Sequence, residues 1–126
     1  MPQFKTAEEL YAAVNRMIAA LQANEALKAK IAQAEASVGF NVTDLKAEFS
    51  LKFFKGQVSG GPGGTKDCSI GVSLTSAALD SIFSGKQDPE SAYTYGSLSL
   101  RGSEYAAEGM LRFMRDIIAA YKAATA

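Results

Sequence analysis

Several runs in this chain alternate apolar and polar side chains one for one, and they limit its folds more than any other feature. Val38, Phe40 and Val42 alternate with Gly39, Asn41 and Thr43. Ala47, Phe49, Leu51 and Phe53 alternate with Glu48, Ser50 and Lys52, and Phe54 falls on the polar side. Cys68, Ile70, Val72 and Leu74 form a third run, and Leu98 and Leu100 between serines form another. Successive side chains of a strand point to opposite faces, so each run predicts a strand with one apolar face. A sheet made of such strands must cover that face with something else.

The remaining segments supply helices. Thr6-Ala-Glu-Glu9 fits a capping box, and Leu10, Val14, Met17 and Leu21 follow at steps of three and four. Asn24 can re-cap the chain, and Leu27 and Ile31 continue an Ala-rich helix to about Ala36, expected to be the more exposed piece. Thr75–Phe83 has helical spacing, with Leu79, Ile82 and Phe83 on one side, and stops at Ser84-Gly85. Asp88-Pro89 opens a second short helix, since the carboxylate caps orphan N–H groups and proline gives up an N–H that had no partner. Gly96–Arg101 reads as a strand, broken by Gly102. Ser103 starts a long amphipathic helix: Ala106, Met110, Phe113, Met114, Ile117 and Tyr121 share one face, with Glu104, Glu108, Arg112, Arg115 and Lys122 on a solvated stripe opposite.

Composition narrows the function. Thirteen basic and thirteen acidic residues cancel, so the basic excess of a general nucleic-acid binder is absent. The chain has no histidine, the commonest general base and metal ligand, and its one cysteine, Cys68, has no internal partner. No Cys/His metal spacing exists, and the expectation is no metal and no cofactor. The N-terminus lacks a basic flank followed by an apolar run, and the C-terminal KAATA is not the peroxisomal tripeptide. A cytoplasmic protein is expected. Its 126 residues suit one domain over residues 1–126, with helices over 1–37, strands over 38–74, short helices over 75–95, a strand over 96–102 and the C-terminal helix over 103–123.

Two segments invite catalytic readings. Ser59–Asp67, rich in glycine, reads as a flexible loop unable to hold regular structure. It lacks the phosphate-loop order, because Lys66 is followed by Asp67 and then a strand instead of a Ser or Thr opening a helix. Cys68 falls on the apolar face of its strand, which favours a small buried hydrophobe over a nucleophile.

In order along the chain, Phe49–Phe53 through Lys55–Val58, Lys66–Ile70, Ser84–Tyr93 and Gly96–Gly102 resemble the motifs of the sterol carrier protein 2 domain family. The similarity runs from about Val38 to Met114 and points to a small, stand-alone, prokaryotic-type member. The resemblance implies an α+β fold: a curved, mostly antiparallel five-stranded sheet covered on one face by helices that enclose a hydrophobic tunnel. It also implies a function, the non-catalytic binding and transfer of a hydrophobic ligand such as a fatty acid, fatty acyl-coenzyme A or sterol-like lipid.

On that reading the lining is Phe53, Leu79, Ile82, Phe83, Tyr93, Tyr95, Leu98, Leu100, Met110, Phe113, Met114 and Ile117. Tyr93 and Tyr95 pair an apolar ring with a hydroxyl, suited to a polar head group. The partner is a small hydrophobic ligand; transient membrane contact accords with transfer, nucleic acid does not, and the oligomeric state stays open. The alternative is a protein-interaction or dimerisation scaffold whose tunnel has collapsed, with the Asn24–Ala36 helix as the contact.

Overall fold

The computed structural model describes residues 4–125. Its elements run α1 (Ala7–Gln22), α2 (Glu25–Lys30), β1 (Glu35–Val42), β2 (Ala47–Phe54), β3 (Gln57–Pro62), a 3-10 turn (Thr65–Asp67), β4 (Ile70–Leu74), α3 (Ser76–Phe83), α4 (Pro89–Thr94), β5 (Leu98–Arg101), α5 (Glu104–Leu111) and α6 (Met114–Ala124). The strands form one mixed, open sheet in the order β3-β2-β1-β4-β5. The β1–β2, β2–β3 and β4–β5 pairings are antiparallel, with Phe40 opposite Phe49 and Leu74 opposite Leu98. β1 and β4 run parallel, with Val42 opposite Leu74. The fold is therefore the expected α+β arrangement.

The register puts the apolar set of each strand on one face. Val42, Ala47, Phe49, Leu51 and Phe53 are fully buried there, and Phe54 is half exposed on the other face. α1 rests on β2 and β3 and against α6, burying Leu10, Ala13, Val14, Met17, Ile18 and Leu21. Aromatic rings tie the layers together. Phe40 stacks on Phe49 at 4.7 Å, and Phe83 meets Phe40 and Tyr121 edge-on, each at 5.4 Å. Such offset and edge-to-face pairs add to area burial because the ring edge is positive and the face negative.

The helix starts follow the capping chemistry. Thr6, Asn24, Thr75, Asp88 and Ser103 each accept a backbone N–H of the first turn. At α1 the carboxylate of Glu9 reaches back one residue further than a standard box and accepts the N–H of Lys5 at 2.8 Å. At α3 the cap is reinforced from a distance: both oxygens of Asp44 accept from Ser76, one from its N–H at 2.8 Å and one from its hydroxyl at 2.6 Å. These bonds hold the Asp44 carboxyl below the usual carboxylate range, the hydroxyl bond contributing most.

Four boundaries differ from the sequence reading. The helix expected to reach Ala36 ends at Lys30, and strand starts at Glu35. The carbonyls of Ile31 and Ala34 are drawn to the β2–β3 turn, where they accept the N–H groups of Gly56 and Lys55 at 2.9 and 2.8 Å. A helix could not offer them to that turn. This segment is also less exposed than expected at two points, because Leu27 and Ile31 are fully buried.

The glycine-rich stretch does hold structure. Ser59–Pro62 extends β3 along β2, with Gly60 opposite Leu51. Glycine is required there: a Cβ on Gly60 would sit 2.2 Å from the Ser50 carbonyl oxygen, and its φ is +139°. Pro62 is tolerated because β3 is the sheet edge.

Cys68 precedes its strand, since β4 begins at Ile70. Its thiol is buried, donates to the Gly64 carbonyl at 3.4 Å, and is pushed above its ordinary pKa by that burial. That environment disfavours the nucleophilic thiolate.

The long C-terminal helix is two helices, broken at Arg112–Phe113. Phe113 N–H donates to the Met110 carbonyl at 3.0 Å, a tightened turn, and the Phe113 ring packs edge-on against Phe53 at 5.1 Å. Neither glycine nor proline stands at the break itself; the residue there, Phe113, buries its ring in the core.

Candidate functional site

The sheet is covered unevenly. α1 rests on β2 and β3 with α6 beside it, α5 touches β1, α4 touches β5, and α3 packs on α6 and α4. α3, α4 and α5 are short, of 8, 6 and 8 residues. Between them and the sheet lies a half-open cavity of about 230 Å³.

Each wall follows from a local rule. The floor is the inward set of the period-two runs: Val38 and Phe40 from β1, Ile70, Val72 and Leu74 from β4, Leu98 and Leu100 from β5. Ile82 and Phe83 of α3 form the back, and Met110, Leu111, Met114 and Ile117 form the roof. Val72, Leu98, Leu100 and Met114 face this space and are only partly buried, although they pack against the core. Large apolar side chains turned inward and still open to solvent mark a gap in packing.

The mouth is polar. Pro89, Glu90, Tyr93 and Thr94 of α4 face Glu104, Ala107 and Glu108 of α5 across it. The Tyr93 hydroxyl donates to Glu104 Oε1 at 3.2 Å, joining the two helices at the rim.

Of the side chains expected to line a tunnel, Ile82, Phe83, Tyr93, Leu98, Leu100, Met110, Met114 and Ile117 surround the cavity. Four do not. Phe53 and Phe113 pack on each other in the core beside it, and Leu79 is fully buried away from it. Tyr95 is 83 % exposed, because it caps the end of α4 and points outward. The space between helices and sheet is half open.

Sequence reasoning placed Val38, Phe40, Ile70, Val72 and Leu74 on the apolar face without assigning them to the site. The alternation marks a face, and only the strand order tells which half a helix leaves uncovered. It assigned Glu104 and Glu108 to a solvated stripe; both are exposed, and both also border the mouth. Their spacing of four, with Leu111 three further on, was the available signal.

Behind the cavity, Tyr121 of α6 donates to Asp80 Oδ1 of α3 at 2.7 Å, both groups being buried. Burial, then the hydrogen bond to Asp80, pushes the phenol far above its ordinary pKa, so it stays a neutral donor. This pair locks α3 to α6. Two other hollows lie elsewhere: a mainly polar one of about 280 Å³ on the outer sheet face around Glu48 and Arg101, and one of about 580 Å³ along the far side of α5, where Ala34, Ala36, Ala106 and Phe113 border it together with Glu35, Glu108 and Arg112. Among the described residues no group of three His, Cys, Asp or Glu side chains could hold a metal ion. No helix among them is long and apolar enough to cross a membrane.

The family model for the SCP-2 sterol transfer family matches residues 14–110. No curated protein sequence matches the chain. Among solved structures, the Thermus thermophilus protein TT1886 superposes with a TM-score of 0.71 at 14% identity, over 98% of this chain and 90% of that one. A sterol carrier protein 2 crystal structure gives 0.68 at 16% identity, over 88% and 94%. The sec-alkylsulfatase Pisa1 from Pseudomonas sp. gives 0.58 at 23% identity; 65% of this chain is covered, and the match spans only 13% of the sulfatase. At these identities the likeness concerns the fold.

Proposed function

The chain belongs to the SCP-2 sterol transfer family, and from that premise we propose that it binds a lipid in the cavity over β4 and β5 and transfers it without reacting with it. The observation that carries the reading is the floor of half-buried apolar residues, Val72, Leu98 and Leu100, facing empty space. An acyl chain or ring laid there would complete the packing that the helices leave unfinished.

The magnitudes favour a long chain. Each methylene removed from water contributes about 0.8 kcal/mol. Micromolar affinity needs about 8 kcal/mol net, after at least about 4 kcal/mol for lost translational and rotational freedom. About fifteen fully buried methylenes would supply that sum, more than the cavity encloses, so micromolar affinity needs the mouth to cover part of the chain as well, and short acids should bind poorly. A cavity of about 230 Å³ exceeds the ~150 Å³ that admits benzene and falls short of the ~300 Å³ where drug-sized sites begin. One segment of the ligand would therefore be buried and the rest would run out along the mouth.

Native mass spectrometry of the purified protein with lipid extraction, followed by titration with a neutral fluorescent lipid, tests the reading. Saturable one-to-one binding is expected. Absence of both a co-purifying lipid and saturable binding would refute it, and would favour a scaffold whose cavity closes in solution.

A further inference from the structure

We propose that the cavity mouth is a charge filter: Glu90, Glu104 and Glu108 accept lipids with an uncharged hydroxyl head and disfavour those ending in a carboxylate or phosphate. The filter rests on the lipid-carrier reading and adds the head-group class.

The apolar cavity is the site; the rim decides what may leave its head there. The side chains around the cavity include these three carboxylates and no lysine or arginine. They come from both sides of the opening, Glu90 from the first turn of α4 and Glu104 and Glu108 from successive turns of α5. Arg112, one turn beyond Glu108, lies along the groove on the far face of α5, which Glu108 also borders. Glu90 and Glu104 border the cavity and not that groove, so they carry most of the uncompensated charge at the mouth.

The size of the cavity brings a ligand's head to this rim. At about 230 Å³ it holds part of a long chain, so the remainder passes between α4 and α5. The Tyr93 hydroxyl already donates to Glu104, which leaves carboxylate oxygens as the main polar groups there. Ionised carboxylates only accept hydrogen bonds. A hydroxyl head can donate to them. A carboxylate head cannot, and it meets like charge at short range. The rim is solvent-exposed, so the discrimination is a matter of several-fold and salt weakens it.

The experiment uses two ligands with the same twelve-carbon chain, dodecanol and laurate, competing with the neutral fluorophore N-phenyl-1-naphthylamine. The intact chain is compared with Glu90→Gln/Glu104→Gln/Glu108→Gln, which keeps the rim's size, removes its charge and adds amide donors. At low ionic strength the triple variant should bind laurate at least about fivefold more tightly, whereas dodecanol, which loses carboxylate acceptors, should bind no more tightly than before. The urea midpoint of each protein is the control for folding. Raising salt should narrow the laurate difference between the two proteins. Unchanged laurate affinity in the triple variant, or an equal gain for both ligands, would overturn the filter and leave the carrier reading standing. Failure of both ligands to displace the fluorophore from either protein would overturn the carrier reading and the filter with it.

Discussion

Ala107→Leu distinguishes a hollow interior from a filled one by the sign of its effect. Ala107 lies on α5, is half-buried, and lines the cavity at its mouth. Leucine adds three carbons, and its helix propensity is close to that of alanine. If the space beneath is empty, burying those carbons is worth up to about 2.4 kcal/mol, at about 0.8 kcal/mol each. The cavity is half open, so about half of that, near 1 kcal/mol, is expected to appear as added stability of the lipid-free protein. With a urea m-value of about 2 kcal/mol/M, the midpoint rises by about 0.5 M. The same atoms then occupy room a lipid would use. Displacing two or three methylenes weakens binding by about 2 kcal/mol, roughly thirtyfold. Urea titration and fluorescence competition on the same protein read both numbers. Opposite signs, a more stable protein that binds lipid less well, are expected. A loss of 1–3 kcal/mol, the cost of overpacking a filled core, would refute the hollow. Unchanged lipid affinity with raised stability would place the lipid elsewhere.

Three further outcomes follow from particular contacts. Met114→Arg puts a guanidinium into the roof and is expected to weaken binding of a neutral lipid more than tenfold, whereas Arg112→Ala, on the other side of α5, changes it less than about twofold; equal effects would remove the roof from the site. Tyr121→Phe leaves the buried Asp80 carboxyl without its donor and should lower stability by about 2–3 kcal/mol, with Asp80→Asn/Tyr121→Phe recovering part of it; a loss under 0.5 kcal/mol would mean the pair does not lock α3 to α6. Asp44 titrates lower folded than unfolded, so its contribution is full above the unfolded value near 3.8 and fades as pH falls through the folded one. Asp44→Asn should therefore flatten the decline in stability between pH 5 and pH 2 measured by denaturant titration, and an unaltered pH slope would show that the bonds to Ser76 do not hold the acid-side stability.

How much of this was legible depended on whether a residue answers to its neighbours in sequence or in space. The strand faces were legible because alternation is a local consequence of the pleat, and Phe54 on the polar side is exposed as that pattern requires. The caps at Thr6, Asn24, Thr75, Asp88 and Ser103 were legible because a cap acts within three residues. The end of α2 was not, because the carbonyls of Ile31 and Ala34 answer to Lys55 and Gly56, more than twenty residues away. The break at Phe113 was not, because the ring there packs on Phe53 of a distant strand. The acidic rim was hidden for the same reason: Glu104 and Glu108 lie on an exposed stripe, and only the fold sets that stripe beside the mouth.

The hollow itself can be traced to helix length. α1, with 16 residues, spans enough sheet to bury six of its side chains. α4 buries only Ala92 and α5 only Met110. Helices of six to eight residues are marginal alone, and they persist here through caps and a few core contacts. Gly85 and Gly96, both at positive φ, end α3 and α4, and the break at Arg112–Phe113 ends α5, before any can lengthen across β4 and β5. So the same punctuation that makes these helices short also leaves the floor uncovered and keeps its cover lightly held. A lipid laid against Val72, Leu98 and Leu100 would give α4 and α5 the apolar partner their own length denies them. Binding should therefore slow amide exchange in α4 and α5 more than in α1. Equal protection of all three would mean that the short helices are already firmly seated and that the lipid enters some other way.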